Sequence, residues 1–222
     1  MNFHIHESVK KISPNCSLGY LVIRNIVVQG TPPSLAHEFF HLQVEAAKFY
    51  NIEELLDIPP IIGVRGIYKK VEFNPVRHNK TSEELVRRII QRKGAYYVNS
   101  AVAVNNCCAI KFLLPFGLYD LDKIDGDISY QLDAERTHVK SDDPNVPIAM
   151  KPSLTDAKGA FGNPTLDAVR TRVTLATHNI LLVIYADEEV NRTELAQTLT
   201  FAREMILCYN GGTVEMQDIL SV

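Results

Sequence analysis

Strand-like and helix-like segments alternate irregularly along this chain, and that order limits the folds open to it. LGYLVIRNIVVQ (18–29) is rich in β-branched residues and ends at Gly30 and Pro32-Pro33, which predicts a strand and then a turn. From about Ser34 to Tyr50, Phe39, Leu42, Ala46 and Phe49 recur at helical spacing. A short helix near Ile52–Leu56 stops before Pro59-Pro60, and IIGVRGIYKKV (61–71) reads as a strand. FNPVRHNK (73–80) reads as a loop. TSEELVRRIIQRKG (81–94) reads as a helix with a Thr81/Glu84 capping box, an apolar face of Leu85 and Ile89, and a stop at Gly94. YYVNSAVAV (96–104) is predicted as a buried strand entering a short apolar helix, NNCCAIKFLL, capped by Asn105 or Asn106. ISYQLDA (128–134) and NILLVIYAD (179–187) are further strands. A last helix, about Arg192–Tyr209, carries Leu195, Leu199, Ala202 and Ile206 on one side and ends at Gly211-Gly212. With no internal repeat and no low-complexity linker, this pattern predicts one α+β domain over residues 1–222.

At 222 residues and 24.9 kDa the chain can bury a full core, and 46% hydrophobic with 22% charged residues is the balance of a soluble globular protein. No apolar run reaches the roughly 18 residues of a membrane span, and MNFHIHESVKK lacks the apolar core of a signal peptide. The expectation is a cytoplasmic protein without a membrane partner. Cys16, Cys107, Cys108 and Cys208 form no C-x-x-C pair, so reduced thiols are expected; Cys107 and Cys108, beside Ala109, Ile110 and Phe112, read as small buried apolar residues. No cofactor or resident metal is expected.

Two motifs invite a metal reading. His37-Glu38-Phe39-Phe40-His41 matches H-E-x-x-H, which on a helix puts two imidazoles on one face for zinc and offers Glu38 as a base. His4, His6 or Glu45 could add ligands, but no downstream third-ligand pattern follows. His37, His41, Glu45 and Lys48 also form the polar stripe of an ordinary surface helix. YDLDKIDGD (119–127) is acidic, yet an EF-hand frame starting at Asp120 puts Ile124 at position 5, Asp125 at 6 and Gln131 at 12, so it fails as a calcium loop.

Charge is unevenly spread. Residues 65–93 hold nine Lys/Arg against three Glu, a balance of +6, while the remainder holds fourteen bases against twenty-three acids. Such a concentration of cations on an acidic protein can face a polyanion, or can be a solvated helix face. Glu84 and Arg88 are spaced to pair at i,i+4, which leaves Arg87 and Lys93 to point elsewhere.

VNSAVAVNNCCAIKFLLPFGLYDLDKIDGDI (98–128) resembles the tRNA-editing domain of the phenylalanyl-tRNA synthetase β subunit, and more closely its free-standing relatives. NPVRHNKTSEELVRRIIQRKG (74–94) before it and TDAKGAFGNPTLDAVRTRVT (155–174) after it fit the same order, so the resemblance covers about residues 60–190. It implies a three-layer α+β fold, with an unusual β-sandwich or mixed sheet flanked by helices. It also implies a tRNA partner and hydrolysis, in trans, of the ester of a mischarged tRNA by a positioned water, without a covalent nucleophile. The implied substrate pocket comprises Asn105, Asn106, Phe116, Gly117, Gly159, Phe161, Gly162, Arg170 and Thr171, with no catalytic group assigned. The amides would bind an amine, hydroxyl or ester carbonyl, although Asn105 and Asn106 could instead cap a helix. Arg170 would hold a carboxylate or phosphate, or pair with Asp156 or Asp167. The implied RNA contacts are Arg65, Lys69, Arg77, Lys80, Arg87, Arg88, Arg92 and Lys93. The resemblance assigns a bracing role to Asp120 and Asp122 and a tight bend to Gly126.

Two positions depart from the family. Its pocket histidine falls at Gly117, and its tyrosine-recognising glutamate falls near Val183. Without that carboxylate the hydrogen bond that discriminates a phenolic hydroxyl is gone. The alternatives are therefore a non-catalytic module for tRNA or a small amino-acid-like ligand and, more remotely, a zinc hydrolase built on HEFFH.

Overall fold

The computed structural model describes residues 2–70, 82–132 and 151–222. A central antiparallel sheet is built from β2 (Ser17–Arg24), β3 (Phe116–Asp120), β8 (Ile180–Ala186) and β9 (Thr213–Ser221), in the order β3-β8-β2-β9. A second sheet, ordered β1-β4-β5-β6-β7, contains β1 (Phe3–Ile5), β4 (Ile128–Leu132), β5 (Pro152–Asp156), β6 (Gly159–Asn163) and β7 (Leu166–Asp167). Within it β1 and β4 are parallel and the other pairs antiparallel.

Alternation along β8 shows how the layers stack, because successive side chains of a strand point to opposite faces. Ile180, Leu182, Ile184 and Ala186 join a core shared with the helices, whereas Leu181, Val183 and Tyr185 join a second core shared with the five-stranded sheet. β2 divides the same way, with Leu21 and Ile23 on the helix side and Leu18, Tyr20 and Val22 between the sheets. All seven β8 residues are buried. Each fully buried Leu, Ile or Val gains roughly 1.5–3 kcal/mol over exposure, so this strand anchors both cores. The result is the α+β, three-layer arrangement that the resemblance implied, with the helices from residue 33 onward on the outer face of the central sheet and the short N-terminal helix against the second sheet.

The helices are α1 (Glu7–Ile12), α2 (Pro33–Phe49), α3 (Pro59–Lys70), α4 (Ser82–Ile90), α5 (Ser100–Phe112) and α6 (Arg192–Asn210). α6 stops at Gly211, as its sequence predicts, and starts on a complete capping box between Asn191 and Glu194.

Three predictions need correction. Residues 61–70 are helical, not a strand: Pro59 and Pro60 open α3 at positions where a missing N–H costs nothing, and the β-branched residues misled the pattern. YYVNSAVAV is not a strand either. Asn99 caps α5 through its side chain to the Val102 N–H (2.9 Å), so the helix begins five residues before Asn105, and Asn105 and Asn106 sit inside it rather than at its cap. α5 packs against α2, α4, α6 and β3, so it is buried on most sides and lacks the amphipathic period that would have revealed it. Finally, α4 ends before Gly94. The Lys93 N–H returns to the Arg88 carbonyl (2.8 Å) and the Arg92 N–H to that of Ile89 (2.9 Å), which is a Schellman closure with Arg92 itself at φ 61°. The Thr81 half of the expected capping box, like the FNPVRHNK loop, lies outside the described residues.

The acidic run YDLDKIDGD is a brace. Asp120 accepts from the Asp122 N–H (3.1 Å) and the Thr177 hydroxyl (2.8 Å), and Asp122 accepts from Asn179 Nδ2 through both oxygens. Asp127 accepts from the Asn2 N–H (2.6 Å), and Gly126 turns the chain at φ 78°.

Candidate functional site

β3 carries Gly117 and Tyr119 on one face, two residues apart, looking into the layer between the sheets. Tyr119 is fully buried, and its ring lies between Gly117 of β3 and Gly162 of β6; a Cβ at either glycine would overlap the phenol. Phe161 meets the ring edge-on, with centroids 5.1 Å apart at 85°. The Tyr119 and Tyr185 hydroxyls share a hydrogen bond of 2.9 Å. Burial, reinforced by nearby Asp167 and Tyr185, pushes the Tyr119 phenol well above its ordinary pKa, so it stays a neutral donor. Gly117 is paired directly with Val183 across β3 and β8, so the positions at and near which the resemblance expects a histidine and a glutamate share one rung. Sequence reading missed Tyr119; the period-2 link from Gly117 was the available signal.

Several expected pocket residues serve the framework. Arg170 forms a fork to Asp156 (Nη1–Oδ2 3.0 Å, Nη2–Oδ1 2.7 Å) and donates to the Gly159 and Lys123 carbonyls, so of the alternatives open to it the Asp156 pairing is the one adopted. Its guanidinium also lies 5.6 Å from the Phe161 ring centre. Thr171 is fully buried and its hydroxyl lies within hydrogen-bond reach of the Phe161 and Ala168 carbonyls.

Asn105 and Asn106 diverge. Asn105 is 9% exposed; its Nδ2 donates to the Phe116 carbonyl (3.3 Å) and its buried Oδ1 has no hydrogen-bond partner among the described residues. Asn106 donates instead to the Tyr96 carbonyl (3.2 Å) on the outside of the helix layer.

The cationic region is also more committed than its charge suggests. Glu83, only 4% exposed, holds both Arg65 (2.7 and 2.9 Å) and Arg87 (2.8 Å). Burial raises the Glu83 pKa, but the two guanidiniums outweigh it and leave the carboxyl below its ordinary value. The expected Glu84–Arg88 pair is absent among the described residues: Arg88 donates to the Gly94 carbonyl (3.2 Å) and lies 4.2 Å above the Tyr96 ring. Lys69, Arg92 and Lys93 are exposed, with no ion pair among the described residues. Arg77 and Lys80 lie outside the described residues.

On α2, His37 and His41 meet through their Nε2 atoms at 3.2 Å, but Glu38 accepts the Tyr209 hydroxyl (2.6 Å), which holds that phenol up at about 12. His6 caps α1 through Nδ1. Among the described residues no group of three or more His, Cys, Asp or Glu side chains is placed to hold a metal ion, and no helix is long and apolar enough to cross a membrane.

Comparison with known families finds a match to the B3/4 domain over residues 65–210. The chain belongs to the B3/4 domain family. The matched span runs from the middle of α3 to the end of α6 and includes the Gly117–Tyr119 strand, the Glu83 ion triad and Arg170. Among solved structures, this B3/4 domain is similar to an N-terminal fragment of the phenylalanyl-tRNA synthetase β subunit from Pyrococcus horikoshii. The identity is 12% and the TM-score 0.44, over 98% of this chain and 53% of that one. The B3/4 domain chain thus spans about half the length of that fragment. No curated protein matches it.

Proposed function

We propose that this B3/4 domain binds tRNA and acts by capture, without hydrolysing an aminoacyl ester between its two sheets. The observation that carries this reading is Tyr119, whose ring fills the space between Gly117 and Gly162. A substrate side chain could enter there only by displacing a fully buried aromatic, whose truncation costs roughly 3–5 kcal/mol in other cores. Of the residues around that ring, Gly117, Gly162, Phe161 and Val183 carry no acid, base or oxyanion donor in their side chains, and the Tyr185 hydroxyl and nearby Asp167 are engaged with the Tyr119 phenol. The tRNA partner is supported by membership of the family, by the resemblance of residues 60–190 to a synthetase domain, and by the concentration of cations at 65–93.

A second reading, trans-editing, draws on Asn105. A buried amide oxygen without a partner is an uncommon feature of a folded interior and marks a place where a ligand donor would be welcome. In that reading Asn105 would accept from the substrate's amine or from a positioned water.

The experiment is a panel of correctly and wrongly charged tRNAs, each scored for retention by the protein and for release of labelled amino acid. Salt-sensitive retention with release no faster than the protein-free control is the expected result. Accelerated release from one mischarged pair, lost in Asn105→Ala, would replace the proposal with trans-editing.

A further inference from the structure

Between α4 and α5 the chain runs without regular secondary structure from Gly94 to Asn99, and its three central side chains are exposed. Tyr96 is 48%, Tyr97 44% and Val98 65% exposed, and Gln91, Arg92 and Lys93 just before them are exposed too. Two tyrosines and a valine in water are an unfavourable way to finish an ordinary connection.

The segment is nonetheless held residue by residue. Arg88 of α4 bonds the Gly94 carbonyl, Gln43 of α2 accepts the Ala95 N–H (2.8 Å), and Asn106 of α5 bonds the Tyr96 carbonyl. Gln43 also donates to the Tyr97 hydroxyl (2.8 Å), Phe39 packs against the Tyr97 ring at 4.8 Å, and Asn99 closes the strip as the cap of α5. Three helices thus fix a short irregular segment and leave its aromatic side chains partly exposed. Such preorganisation lowers the ordering cost of binding.

We propose that this strip is a docking site for an unpaired nucleic-acid strand: Tyr96 and Tyr97 stack with bases, while Arg92 and Lys93 meet the phosphates. The inference rests on the tRNA reading above and names the part of the RNA that is bound. Arg88 lies against one side of the Tyr96 ring, so cation, ring and base form a stack. The Schellman closure of α4 places Arg92 and Lys93 at the head of the strip, and neither has an ion pair among the described residues. A strip of open rings selects single strands because paired bases hide their faces, and it tolerates sequence because every base has a stacking face.

The test is fluorescence anisotropy of the full chain with a labelled, unstructured oligoribonucleotide, its duplex form, and a whole tRNA, over a range of salt. The single strand is expected to bind at least tenfold more tightly than the duplex. Tyr96→Ala, at an exposed position, should weaken single-strand binding about tenfold with its melting temperature kept. Replacing Arg92 and Lys93 together by Glu should remove about two phosphate contacts, lowering the salt slope by roughly 1.4. Equal affinity in Tyr96→Ala, or preference for the duplex, would overturn the strip. Binding of tRNA but not of the oligonucleotide would also overturn it while leaving the proposed function standing; binding of neither would overturn both. Concentration-dependent dimerisation abolished by Tyr96→Ala, with no RNA binding, would assign the strip to a second copy of this chain and contradict the proposal.

Discussion

Gly117 and Val183 face each other across a single rung of the central sheet, on the side that looks toward the second sheet. They are also the positions at or near which the resemblance expects a histidine and a glutamate. Tyr119, on the same face as Gly117, fills the space between Gly117 and Gly162.

The Tyr119 ring makes a side chain at position 117 costly. Gly117→His should destabilise the fold by about 1–3 kcal/mol or more, because the new side chain overlaps the Tyr119 ring. Combined with Tyr119→Ala it should cost less than the two single changes added together, since the imidazole then has room. Urea unfolding of the two single variants and the double variant checks the cycle; strict additivity would separate the two sites.

Tyr119→Phe keeps the ring and removes the hydroxyl that bonds to Tyr185. The expected cost is about 1–2 kcal/mol, with RNA binding unchanged, because the strip at 94–99 lies in the helix layer. A fall in RNA affinity with stability intact would mean that the inter-sheet phenol takes part in binding.

The Glu83 triad sets an acid dependence. Its folded pKa lies below the ordinary carboxylate value, so its stabilisation is complete above the unfolded value of about 4.3 and is lost as pH falls through the folded one. Glu83→Gln should therefore flatten the acid limb of the stability curve. Glu83→Ala at neutral pH should cost about 2–3 kcal/mol, less than a fully buried pair, because Arg65 and Arg87 remain 18% and 21% exposed. Thermal melts at pH 7 and below pH 4 test both statements.

The thiols separate by burial. Cys208 is exposed, while Cys16 and Cys107 are buried with pKa values pushed up to about 12 by desolvation, and Cys108 is raised well above its ordinary value by the same cause. A thiol reagent at neutral pH should modify one cysteine quickly in the native protein and the other three only on unfolding. Cys208→Ser should abolish the fast phase.

The long, regular elements were readable because their patterns arise locally. α2, α6 and the strands at β2, β4 and β8 follow from apolar spacing and caps that neighbouring residues supply. α3 and α5 were not: β-branched residues imitate a strand when a helix is buried on several sides, and Asn105 and Asn106 imitate a cap when Asn99 already holds that role. The sites were less legible still. The charge count at 65–93 could not show that Glu83 engages two arginines, or that Arg88 turns to Tyr96, because both depend on how α3, α4 and the 94–99 segment meet. Nor could spacing alone show that Tyr119 fills the gap between glycines 45 positions apart in the chain.

Whether the seat between Gly117 and Gly162 is filled from within is read by calorimetric titration of p-cresol into wild-type protein and Tyr119→Gly. No binding to the wild type is expected, and saturable, stabilising binding to the variant, as the added phenol replaces the missing one. Equal binding to both proteins would contradict it, since a wild-type domain that accepts an external phenol there has an open seat.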